Sequence, residues 1–135
     1  MIDAHASSGP APALRRAADR LHVIITAPPG VLPEARLRDV LEYELASLQE
    51  LLLRHFASEE EGGWLSQLVS NSPALASAAQ ELRTQHGALR AEFESLVTGV
   101  RSTPLPQLVE RIGAALEMFD AHEHTEAQLL AGDAR

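Results

Sequence analysis

The sequence is expected to fold as an all-α protein, an up-down-up-down antiparallel four-helix bundle, and three observations lead there. Proline and glycine interrupt it strongly at "APPGVLP" (27–33), "SNSP" (70–73) and "RSTPLP" (101–106), leaving four pieces rich in Ala, Leu, Glu and Arg. β-branched residues never alternate with polar ones over a useful length, so strand signals are missing. The connections are short beside the helices they join, which favours antiparallel neighbours.

The elements follow in order. The first helix is expected near 12–27, with an apolar stripe of Leu14, Ala18, Leu21 and Ile25. Before it lies the low-complexity segment "ASSGPAPA" (6–13), and Pro10 and Pro12 make residues 1–11 an irregular N-terminal segment. The second helix, 33–61, opens on Pro33 and Glu34. The third, 73–100, opens on Ser72 before Pro73, and the fourth, 104–131, on Thr103 before Pro104; all three match openings in which a cap or proline precedes the first turn. With 135 residues and no internal repeat, residues 1–135 read as a single domain with one core.

Composition excludes several classes of function. Eleven basic residues against 19 acidic ones give a formal charge of −8 without a basic patch, so neither nucleic acid nor an anionic membrane is an expected partner. Cysteine is absent, which removes disulfides, iron–sulfur clusters and thiolate zinc sites. Any metal must be held by nitrogen and oxygen. The start "MIDAHASSGPAP" lacks a basic, then apolar leader, and no segment has the ~20 apolar residues of a membrane span, so a soluble, cytoplasmic protein is expected. Nothing in the sequence bears on oligomeric state.

The informative feature is a change of chemistry along the apolar stripes. The second helix runs Leu41, Leu45, Leu48, Leu52, then His55 and Glu59; the third runs Leu75, Ala79, Leu82, His86, Leu89, Phe93, Leu96; the fourth runs Leu108, Ile112, Ala115, Phe119, then His122, Glu126 and Leu129. All keep the alternating three- and four-residue spacing of a face packed into a core. Histidine therefore takes a core position on three helices, and on two of them glutamate follows one turn later on the same face.

Height brings these residues together. In an antiparallel hairpin, residues equidistant from the turn are level; the midpoint of His55 and His86 falls in "SNSP", and that of His86 and His122 on Pro104. All three lie roughly 20–25 Å from their turns. Two carboxylates buried there need compensation, each costing several kcal/mol if left unpaired, and the three stripes carry no Lys or Arg. A multivalent cation supplies it, and imidazole with carboxylate suits Fe, Mn or Zn. The competing reading is a metal-free polar core. "HEHTE" is not the zincin motif, because its fifth residue is Glu126. His124 and Glu123 lie off the stripe and are expected in solvent, Glu123 with a possible supporting role. Trp64 and Tyr43 are expected in core or rim packing, where each can shield the site.

"HFASEE" on the second helix, "LRTQHGAL" on the third and "HEHTEAQLL" on the fourth, in that order and spacing, resemble the hemerythrin-like, HHE cation-binding family over roughly residues 35–131. The resemblance implies a non-haem diiron protein with two Fe ions, oxo- or hydroxo-bridged, that handles or senses oxygen, peroxide, nitric oxide or iron. Zinc or manganese is the alternative metal. It implies terminal ligation by His55, His86 and His122 and bridging by Glu59 and Glu126. Oxygen-carrying members have a second histidine one turn from the one on the third helix, where this sequence has Leu82 and Arg90. One iron is then short of a nitrogen ligand, which Glu60, another carboxylate or water can replace, and reversible oxygen carriage is not expected. The family also implies a ligand before or on the first helix. The midpoint of His5 and His55 is Gly30, so height selects His5, whereas His22 is expected at the surface. The competing class is a structural or interaction bundle whose His/Glu layer is vestigial or holds zinc.

Overall fold

The computed structural model describes residues 12–61 and 63–133. It contains helices α1 (Pro12–Thr26), α2 (Glu34–Glu60), α3 (Trp64–Asn71), α4 (Ala76–Gly99) and α5 (Leu105–Asp133), with a 3₁₀ turn at Pro73–Leu75. No strand occurs among the described residues. The four long helices α1, α2, α4 and α5 form a bundle: α1 packs on α2 and α5, and α4 packs on α2 and α5.

The expected stripes build the core. Leu14, Ala18 and Leu21 of α1 meet Leu41, Leu45, Leu48 and Leu52 of α2, Leu89, Phe93 and Leu96 of α4, and Leu108, Ile112, Ala115 and Phe119 of α5 in one apolar cluster. At the end of the bundle where α1 turns into α2, Gly30 supplies a positive φ of 88° that a side chain would resist. There Arg38 donates to the carbonyls of Val100 and Thr103 at 2.9 and 2.7 Å, tying α2 to the connection between α4 and α5. Arg101 adds contacts to Asp39 and Glu42, both 2.6 Å. No helix among the described residues is long and apolar enough to cross a membrane.

Three features depart from the sequence reading. The segment expected to be a plain connection after Gly63 holds α3, and the next long helix begins as a 3₁₀ turn at Pro73 and becomes α-helical only at Ala76. The cause is local burial: Leu65 and Leu68 are covered, and Leu65 forms with Ala79 and Leu82 a second apolar cluster beyond the main core. Gly63 permits the turn into α3, since a Cβ there would run into the Ser58 carbonyl oxygen. Tyr43, expected in core or rim packing, is instead 69% exposed on the outer face of α2.

Candidate metal centre

Below the leucine layers, α2, α4 and α5 replace apolar side chains with Glu59, His86, His122 and Glu126, all buried. One donor atom from each of these four lies within 4.8 Å of every other. His86 Nε2 is 3.2 Å from Glu59 Oε1 and 3.6 Å from Glu126 Oε2, while His122 Nε2 is 3.0 Å from Glu126 Oε2. These atoms are close yet not aligned to hydrogen-bond one another. Glu59 Oε1, His86 Nε2, His122 Nε2 and Glu126 Oε2 are all buried without a hydrogen-bond partner. Buried polar atoms are nearly always satisfied, so four orphans facing a single point call for an occupant.

A cation fits the spacing. With metal–ligand distances of about 2.1 Å, neighbouring donors in a tetrahedral or octahedral shell stand about 3.0–3.5 Å apart. The three separations above fall in or next to that range. Two neutral imidazoles and two carboxylates also balance a divalent ion in charge.

The remaining ring nitrogens are held from behind. His86 Nδ1 hydrogen-bonds Glu60 Oε2, and His122 Nδ1 bonds Gln85 Oε1 at 2.6 Å. Each acceptor holds a proton on Nδ1, so that the neutral ring turns its Nε2 lone pair toward the cluster, the arrangement ligating histidines adopt. Phe56 stacks on His86, ring centroids 3.9 Å apart and planes 12° from parallel, which fixes the ring's tilt. On α2, Glu59 Oε2 accepts from the Trp64 indole N–H at 2.9 Å and lies 3.1 Å from His55 Nε2.

The charges respond to this crowding. Burial alone would lower the pKa of His86, but Glu126, Glu59 and Glu60 outweigh it and raise it to about 9. Burial would raise that of Glu59, yet the adjacent His55 and His86 rings hold its carboxyl well below the usual range. His55 is likewise raised, burial being outweighed by Glu59. Glu123 is pushed up to about 7, chiefly by burial, despite the opposing Arg15.

Of the six ligands named from sequence, the structure brings Glu59, His86, His122 and Glu126 to one point. It sets His55 beside them, paired to Glu59 and less deeply buried. His5 lies outside the described residues. His22 is exposed on α1, seven residues or about 10 Å along the helix from Arg15, which meets Asp120 and Glu123 of α5. His124 is exposed as expected, but Glu123 is half-buried, held to Arg15 at 2.5 Å through one oxygen while the other is buried and unpaired. The sequence reading missed Phe56 as the buried neighbour of His55, Gln85 as the partner of His122 and Trp64 as a donor to Glu59. Only Gln85 carried a signal, an amide directly beside a core histidine.

The fold and site thus define a class, a helical bundle with a buried His/Glu cluster that can hold a metal ion. Compared with known proteins, the sequence matches no family model, no curated protein and no solved structure.

Proposed function

We propose that this protein is a non-haem iron protein of hemerythrin-like type, an up-down-up-down bundle whose His/Glu layer holds two irons when full and handles or senses oxygen, peroxide, nitric oxide or iron. The observation that carries the reading is the convergence of four orphaned donor atoms from three helices, all within 4.8 Å of one another. The proposed course of the helices is supported by cross-links at matching heights, Arg101 to Asp39 and Glu42 near one end and His122 to Gln85 near the other. Bound iron would supply a centre able to bind and reduce a small oxidant. The protein's own residues keep that centre dry and oriented: Phe56 and Trp64 wall it, Glu60 and Gln85 hold the histidine protons on Nδ1, and Arg15 draws Glu123 to the edge of the layer.

The metal-free alternative has one observation in its favour, the close approach of His86 to Glu59 and Glu126. A closed hydrogen-bonded network would align those atoms, and it would not leave four of them unsatisfied. The test is to reduce the iron-loaded protein under argon and add dioxygen, hydrogen peroxide or nitric oxide separately while recording the optical spectrum. At least one should produce a prompt spectral change that His122→Ala abolishes, and dioxygen should oxidise the iron irreversibly. No spectral change with any of the three would contradict the proposal.

A further inference from the structure

The two metal positions implied by that reading are not equivalent in this protein. Four donors, Glu59 Oε1, His86 Nε2, His122 Nε2 and Glu126 Oε2, converge without partners. The fifth candidate, His55, is turned to the other oxygen of Glu59, which also accepts the Trp64 indole proton. A first ion entering the four-donor point breaks no hydrogen bond to Glu59 Oε2. A second ion must insert between His55 and that oxygen and share it with Trp64.

Charge points the same way. Glu59 and Glu126 together neutralise one divalent ion. Among the described residues a second has only Glu60 and Glu123 within the layer to balance it: Glu60 already bonds His86 Nδ1 with Arg90 3.8 Å away, and Glu123 already offsets Arg15 through one of its oxygens. Excess positive charge in a buried site is costly.

We infer that the site fills in order: one divalent cation binds tightly through Glu59, His86, His122 and Glu126, and a second binds later and more weakly through His55 and the outer oxygen of Glu59, perturbing Trp64 as it enters. This inference rests on the two-ion reading above, and the experiment separates the two. Cobalt(II) alone is titrated into the metal-free full-length protein, following cobalt visible bands, heat, and the emission of Trp64, the sole tryptophan.

The expected result is two steps: one cobalt per protein bound first, then a second at a concentration at least about 100-fold higher, with the larger change in tryptophan emission in the second step. His55→Ala and His55→Gln should remove the second step and leave the first within about threefold, while His122→Ala should remove the first; circular dichroism checks that each variant is folded. Uptake of two cobalts in one step, with no one-cobalt species, would overturn the inference and leave the two-ion reading standing. So would a folded His55 variant that loses the first step. A titration that stops at one cobalt supports the four-donor assignment and removes the two-ion reading. No binding at all contradicts both.

Discussion

Gln85 and Glu60 touch the cluster only through histidine Nδ1 atoms, yet they decide which nitrogen each ring can offer a metal. Gln85→Ala and Glu60→Ala are therefore expected to weaken metal binding by about 10- to 100-fold while leaving the helical circular dichroism intact, as read by competition with a chromophoric chelator. Gln85→Glu should retain binding, and exposed His124→Ala should leave it unchanged. Phe56 is a different case, since it both fills the core and supports His86. Phe56→Ala should cost about 3–5 kcal/mol in urea unfolding; a loss below ~1 kcal/mol would mean that this ring does not pack as described. At this scale the sequence was informative wherever the three- and four-residue spacing was strict, which is why Glu59, His86, His122 and Glu126 were legible. Phe56 was not, because it adjoins His55 and the buried arc of α2 is wide enough to take both. Gln85 and Trp64 escaped because their roles depend on partners from other elements.

The long helices were legible because each carries at least about three turns of stripe between strong breakers. Their observed ends at Thr26, Glu60, Gly99 and Asp133 differ from the expected ones by two residues at most. The start of α4 was misplaced by three, since Pro73 opens a 3₁₀ turn that passes into α-helix only after Leu75. Helix α3 was not legible: eight residues give two turns, too few for a period, and what holds it is contact of Leu65 with Ala79 and Leu82 of α4. Its position matters because it carries Trp64 to Glu59. Gly63→Ala should destabilise the protein by roughly 1–3 kcal/mol and shift tryptophan emission, because the new methyl group meets the Ser58 carbonyl and displaces the start of α3. A variant with wild-type melting and emission would show that α3 does not depend on this close turn.

For the whole molecule, the cluster makes stability depend on pH and on metal. The raised pKa of His86 contributes stability that is complete below its ordinary 6.5 and is lost as pH rises through about 9. Glu123, raised from 4.5 to about 7, favours its neutral form in the fold, so stability also declines as pH rises across that interval. Glu59 works in the opposite sense, its contribution being present above 4.5 and lost only as pH falls toward its depressed folded value. The metal-free protein should therefore melt highest near pH 4.5 to 5 and progressively lower toward pH 9. A bound cation competes with the His86 proton, so the gain in melting temperature on loading should grow over the same range. A metal-free protein that melts higher at pH 9 than at pH 6 would contradict this reading of the cluster.

The central claim, that the orphaned His and Glu atoms are a metal site, is tested most directly by counting iron. Protein loaded anaerobically with ferrous iron and then desalted should retain at least about one iron per molecule, rising toward two in excess iron, and should melt above the stripped form. Glu126→Gln and His122→Ala should lose the retained ion. No retained iron, together with a melting temperature unchanged by loading, would contradict the account.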